Sequence, residues 1–314
     1  MPLSVVESVF KFHPRAKVTF LSQLMPLDFF DCLRAGGFDI SVVRYDLAAL
    51  ARGTLLADFV AEGRLNRSVS YRYAHESDLV RIVVLSKFGG IYVDTDLVLV
   101  RALDAVALEN PSLGVEYYED PMVGSKTYGS LRLNNAFMGF PRPGHPFLQW
   151  VMTQVQASYN PDEWAAIGPD LITEGYKRLP HAEQDQFNLM PPRALYPLHW
   201  ARAHILLRPD RSELDKDWPP AARGESFGIH LYNSNSWRHY DGSCVGRGRQ
   251  GRRARRARGR PKRAAQPSPL LPSPPLFPSL THSHTRARAR AIPRLRQLLR
   301  HRGAAARQLH CGAD

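Results

Sequence analysis

The strongest pattern in the chain runs from residue 75 to residue 100, HESDLVRIVVLSKFGGIYVDTDLVLV. From Glu76 to Phe88 the apolar residues Leu79, Ile82, Val83 and Leu85 combine helical spacing with a nearly continuous run, which predicts a helix buried over most of its surface. His75 and Glu76 stand where they would cap it. Gly89 and Gly90 end it, because glycine accepts the left-handed C-cap without steric cost and a pair lets the chain reverse at once. Ile91-Tyr92-Val93, β-branched and aromatic, reads as the strand that follows.

The same reading orders the rest of the chain. Val5, Val6, Val9 and Phe10 predict a helix over 4–12 closed by His13-Pro14, and residues 16–22 (AKVTFLS) a strand. A helix over 26–35 stopped by Gly36-Gly37 and a strand over 38–44 follow, then one or two short helices within 46–64. This βαβ rhythm predicts an α/β protein with a mostly parallel sheet covered by helices on both faces. Residues 111–130 read as a strand and a long exposed loop, and Asn134-Asn135 as a turn before another strand. Phe147, Trp150, Val151 and Val155 mark the packing face of a helix over 146–158. Gly168-Pro169 opens a helix whose amino terminus can meet an anion or sugar hydroxyls, although an ordinary proline start explains the same residues.

Charge changes the picture only after it is divided. The 314 residues, enough for a sizeable core, carry a formal +13, which points toward nucleic acid. Residues 244–314 hold 18 Lys and Arg against one acid, whereas residues 1–243 hold 24 basic and 28 acidic side chains, a net of −4. The reading is one mildly acidic domain over 1–243 and a disordered Arg/Pro-rich tail over 244–314. Such a tail can attract a polyanion by counterion release, the alternative reading of the chain. It lacks the interleaved aromatics of single-strand readers, which weighs against nucleic acid as a partner. Of three cysteines only Cys32 lies in the body, so no disulfide framework is expected there. No apolar run reaches the roughly 18–20 residues of a membrane span, and no signal peptide is visible.

The candidate chemistry lies at Asp94-Thr95-Asp96. In an extended strand residues two apart share a face, so both carboxylates would point together. They repel unless a cation sits between them, and hard oxygen ligands suit Mg²⁺ or Mn²⁺. A divalent ion held this way can neutralise a departing nucleotide diphosphate. A D-x-D triplet arises by chance about once in a chain of this length at ordinary aspartate usage, and an aspartate turn closing a strand remains an alternative. The second triplet, Asp215-Lys216-Asp217, has no strand before it and reads as a solvated loop.

The segment SDLVRIVVLSKFGGIYVDTD resembles the donor-binding core of D-x-D glycosyltransferases of the GT-A fold, in particular the α-1,4-glycosyltransferase group. Leu133-Asn134-Asn135-Ala136-Phe137 is similar to that group's N-x-A-F segment, and Gly168 to Thr173 to its G-P-x-L-[IL]-T segment. Pro192 to Trp200 and His230-Leu231-Tyr232-Asn233 match two further segments in order and spacing. The resemblance implies a GT-A-like domain that transfers galactose or N-acetylglucosamine from a UDP-sugar to a glycan or glycolipid with retention of configuration. It implies that Asp94, Asp96 and His230 hold Mn²⁺ or Mg²⁺ and that Asp78, Arg81, Asp94, Asn134, Asn135 and Gly168 bind the donor. From the residues alone, Asp78 and Arg81 share a helix face and equally suit an intrahelical salt bridge. Tyr196, His199 and Trp200 can stack on a sugar or pack in a core. Family members sit on the lumenal side of the Golgi membrane through an amino-terminal anchor. Neither that anchor nor the family's first strand is visible in this chain, and an inactive GT-A-like fold is the corresponding alternative.

Overall fold

The computed structural model describes residues 2–68, 70–117, 131–207 and 224–232. The amino-terminal layer follows the expected rhythm. Helix α1 (Pro2–Phe12) buries Val5, Val6 and Phe10, and β1 (Lys17–Leu21) pairs in parallel with β2 (Asp39–Val43) across α2 (Asp31–Ala35). The expected helix over 26–35 shortens to its second half. Phe29 N–H and Asp31 N–H bond the carbonyls three residues back, so the chain turns rather than winds while Phe30 enters the core. Cys32, alone in the body by sequence, is disulfide-bonded.

Two short helices follow, α3 (Leu47–Ala51), capped by Asp46, and α4 (Ala57–Ala61), then a 3-10 turn at Arg64–Arg67. Helix α5 (Arg72–Phe88) begins a turn earlier than expected, so His75 and Glu76 lie inside it and are not caps. His75 is buried, with one ring nitrogen 2.9 Å from Tyr159 Oη and the other 2.9 Å from Glu163 O, a structural tie. Gly89 ends α5 at φ +67°, where a Cβ would stand 2.9 Å from Phe140 O; the turn needs glycine for conformation and for space.

Next come β3 (Gly90–Val93), β4 (Leu97–Leu99), α6 (Ala105–Glu109), β5 (Ser112–Tyr117), β6 (Arg132–Phe140), α7 (Pro146–Ser158) and α8 (Pro169–Arg178). The described chain closes with α9 (His181–Gln184), β7 (Asn188–Met190), α10 (Pro192–Leu195), a 3-10 segment Trp200–Leu207 and β8 (Gly228–His230). The sheets run β1-β2, β3-β6-β5-β7 and β4-β8. The α/β class holds. The pairs β1–β2 and β5–β7 are parallel, whereas β3–β6, β5–β6 and β4–β8 are antiparallel, which corrects the expectation of a mostly parallel sheet to a mixed one. The βαβ rhythm is local to residues 17–43, and β3 and β4 pair with strands far along the chain.

One face of the four-stranded sheet packs on α5, α7 and α8 through Leu79, Ile82, Leu85, Phe147, Val151 and Ile172, with Leu113 and Val115 of β5 beneath them. The other face carries Phe137, Leu195, Tyr196 and Tyr232. Among the described residues no helix is long and apolar enough to cross a membrane. The expected loop over 118–130, the triplet at 215–217, Asn233 and the tail over 244–314 lie outside the described residues.

Candidate active site

The D-x-D segment is a turn, which corrects the extended-strand expectation. Strand β3 ends at Val93, and Leu97 N–H donates to Asp94 O at 3.0 Å across Thr95-Asp96. Asp94 N–H is still tied to Ala136 O of β6 at 2.8 Å, while Leu97 already pairs with His230 of β8. The chain leaves one sheet and enters another within three residues, and only a tight turn allows that. The two carboxylates nevertheless converge. One ligand atom each from Asp94, Asp96 and His230 lies within 4.8 Å of the others. Asp94 and Asp96 keep 22% and 16% of their side-chain surface exposed, so a solute can reach them.

His230 is delivered by strand pairing. Leu97 lies opposite His230, and Leu231 N–H donates to Asp96 O at 2.9 Å. The imidazole Nε2 stands 3.2 Å from Asp96 Oδ1 and 4.0 Å from Asp94 Oδ2. Burial opposes a charge on this ring, but the Asp96 hydrogen bond and the charges of Asp96, Asp94 and Glu116 outweigh it, and its pKa is raised. The site therefore attracts positive charge. Two carboxylates and an imidazole nitrogen that converge in such a field fit a divalent cation as well as a proton.

A second set of groups lies behind the turn. Arg81, buried in α5, donates from Nη1 to Asn135 O at 2.6 Å, from Nη2 to Ser77 Oγ at 3.0 Å and from Nε to Ser77 O at 3.3 Å. The same Nη2 lies 3.2 Å from Asp94 Oδ1 and 3.4 Å from Asp78 Oδ1. The intrahelical pair expected from spacing exists, and the guanidinium also reaches across to the D-x-D turn. Asn135 Nδ2 donates to Asp78 Oδ1 at 2.8 Å. A bulge in β6 makes this contact: β5 register jumps from Leu113↔Met138 to Gly114↔Asn134, leaving Asn135 free to turn toward Asp78. Asn134 Oδ1 instead accepts from Ala136 N–H at 2.8 Å, so its side chain serves its own strand. Gly168, before α8, lies against this pair; a Cβ there would stand 2.7 Å from Asp78 Oδ2 and 2.8 Å from Asn135 Nδ2.

Two residues in this network escaped pattern reading. Tyr92 Oη donates to Asp94 Oδ1 at 2.7 Å, and its ring lies 4.7 Å under the Arg81 guanidinium. The strand alternation misapplied to Asp94 and Asp96 holds one step earlier, for Tyr92 and Asp94. Glu116 of β5 is the other. Its side chain is nearly buried, 3.5 Å from Arg132 Nε, and after burial it is the largest influence raising the Tyr196 and Tyr232 hydroxyls. The small Gly114 two residues earlier, which admits the Tyr196 ring, is the only local sign of it. Tyr196 itself is buried, packed edge-on to His230, and Trp200 remains partly exposed. His145 caps α7 and packs edge-on against Phe140 and Phe187.

Comparisons with known proteins give two family matches and several named relatives. A family model described as "Glycosyltransferase sugar-binding region containing DXD motif" matches residues 3–113, and one described as "Alpha 1,4-glycosyltransferase conserved region" matches residues 141–245. The mouse lactosylceramide 4-alpha-galactosyltransferase is 31% identical over 209 residues, covering 62% of this chain and 54% of that protein. The human alpha-1,4-N-acetylglucosaminyltransferase is 26% identical over 248 residues, covering 73% of this chain and 65% of that protein. The chain thus spans about half the length of the mouse protein. Among solved structures, the PaToxG glycosyltransferase aligns with TM-score 0.40 and 16% identity over 59% of this chain and 65% of that one. The first family match holds Asp78, Arg81 and the D-x-D turn and the second holds Gly168 and His230, so over both stretches the chain is similar to the alpha 1,4-glycosyltransferase family and its DXD sugar-binding region.

Proposed function

We infer that this chain is a hexosyltransferase that moves galactose or N-acetylglucosamine from a UDP-sugar to a hydroxyl of a glycan or glycolipid, retaining the α configuration. The observation that carries this reading is the convergence of Asp94, Asp96 and His230 beside a buried Asp78–Arg81–Asn135 cluster. The choice of sugars follows the names of the two relatives, and retention follows the family's α-1,4 linkage. The catalytic unit is residues 1–243, with the Arg/Pro-rich segment outside it.

Asp94, Asp96 and His230 would hold Mn²⁺ or Mg²⁺. Such an ion supplies positive charge against the diphosphate of the leaving nucleotide. Tyr92 and Arg81 fix the Asp94 carboxylate from behind, leaving its open side toward the cation. Asp78, steadied by Asn135 and Arg81, presents an acceptor for sugar hydroxyls, and Gly168 keeps the approach clear of a side chain. Arg81 spends its N–H groups on Ser77, Asn135, Asp78 and Asp94, so it orients the sugar through the two aspartates.

The deciding experiment measures UDP release from UDP-galactose and UDP-N-acetylglucosamine with Mn²⁺ and with chelator, alongside calorimetric UDP binding. Metal-dependent release that Asp96→Asn abolishes is expected. Release indistinguishable from Asp96→Asn overturns the enzyme, and UDP binding without turnover leaves an inactive fold.

A further inference from the structure

Glu76 is a buried carboxylate that the reading above does not use. It lies in α5, 7% exposed, directly before Ser77, whose hydroxyl anchors Arg81 and through it Asp94. Gln23 Nε2 donates to Glu76 Oε1 at 2.6 Å, and Tyr45 Oη donates to the same oxygen at 3.1 Å. Gln23 stands two residues beyond the end of β1 and Tyr45 two beyond the end of β2, so both lie at the carboxyl edge of the parallel pair. Open α/β sheets bind their ligands at that edge.

The arrangement is more than a tie between layers. A tie between an amide and a hydroxyl needs no charge, and a carboxylate withdrawn from water costs free energy that a neutral acceptor would not. Both donors fall on Oε1. Oε2 makes no hydrogen bond to any described residue and is not among the fully buried unpartnered atoms, so it keeps some access to solvent. Burial, then the charge of Glu76, push the Tyr45 hydroxyl up to about 12, which keeps it a donor at neutral pH. A carboxylate oriented through one oxygen and open at the other is an acceptor for neighbouring hydroxyls. The ribose of a nucleotide carries such a pair, and acidic residues near strand ends take it in other nucleotide-binding sheets.

We propose that Glu76, oriented by Gln23 and Tyr45, accepts the ribose hydroxyls of the nucleotide donor. The assignment rests on the nucleotide-sugar reading. The test titrates the full chain with UDP and with 2′-deoxy-UDP in the presence of Mn²⁺ by calorimetry, with circular dichroism to monitor folding. The wild type is expected to favour UDP by roughly tenfold or more, the scale of one hydrogen bond to a charged group. Glu76→Ala should bring the ratio close to one, and Tyr45→Phe should reduce it. Should Glu76→Ala not fold, the isosteric Glu76→Gln decides by the same ratio. Weaker binding of both nucleotides with an unchanged ratio overturns the proposal and leaves Glu76 a structural tie. No binding of UDP to the wild type overturns the nucleotide reading itself.

Discussion

His230 Nε2 lies 3.2 Å from Asp96 Oδ1 although 134 residues separate them, because Leu97 and His230 are opposite one another in the β4–β8 pair. The backbone ladder, not any local signal, brings the third group to the site. His230→Ala and Asp96→Asn are therefore each expected to weaken Mn²⁺ binding by tenfold or more, since each removes a converging ligand. In the wild type, Mn²⁺ at about 100 times its Kd should add about 2.7 kcal/mol of stability. Thermal melts with and without metal would read this, and an equal rise in the variants would refute the site.

Arg81 is nearly out of contact with water and faces Asp78 and Asp94 together. Removing it leaves two acids beside each other with no cation, so Arg81→Met should cost about 3–5 kcal/mol in urea unfolding. Arg81→Lys should not restore the wild type, because one ammonium cannot span Ser77, Asn135 and both acids. A loss below about 0.5 kcal/mol for Arg81→Met would show that the cluster is not held by this charge.

Gly168 tests whether close approach shapes the donor side. A methyl group there meets Asp78 Oδ2 and Asn135 Nδ2 below 3 Å, and neither buried partner has room to retreat. Gly168→Ala should cost about 1–3 kcal/mol as an overpacked site and weaken UDP-sugar more than UDP. Gly224→Ala, where nothing stands within 4 Å of the added carbon, is the control. Equal behaviour of the two variants would remove Gly168 from the site.

Asp78 supplies a pH signature. Burial pushes its carboxyl up to about 6 from the ordinary 3.8, with Arg81 and Asn135 only partly offsetting it. The folded chain holds this proton more tightly than the unfolded one, so the stability it contributes is complete below about pH 4 and is lost as pH rises through about 6. The stability difference between wild type and Asp78→Asn should therefore shift in favour of the variant across that window. A difference that does not change with pH would place Asp78 in a more solvated or better paired setting.

Several elements were legible because their signals are local. The apolar spacing of Leu79, Ile82 and Leu85, the glycine pair after Phe88 and the β-branched strand behind it all reappear, as do the β1–β2 unit and the shared face of Asp78 and Arg81. Local reading fails where the chain changes sheets: an extended strand is expected through Asp94-Thr95-Asp96, whereas Leu97 N–H closes a turn on Asp94 O. Asn134 and Asn135 looked alike, and only the bulge in β6 separates their roles.

Local residue choice settles the helix-turn-strand unit carrying Asp78, Arg81 and Asp94, because propensity and periodicity act over one or two turns of chain. Tertiary structure alone decided that Asp96 turns back toward His230, that Asn135 reaches Asp78 across 57 residues and that Glu76 meets Gln23 across 53. Those meetings depend on strand register and on the bulge that shifts it, and register is settled by which strands pair, a property no short window of residues contains.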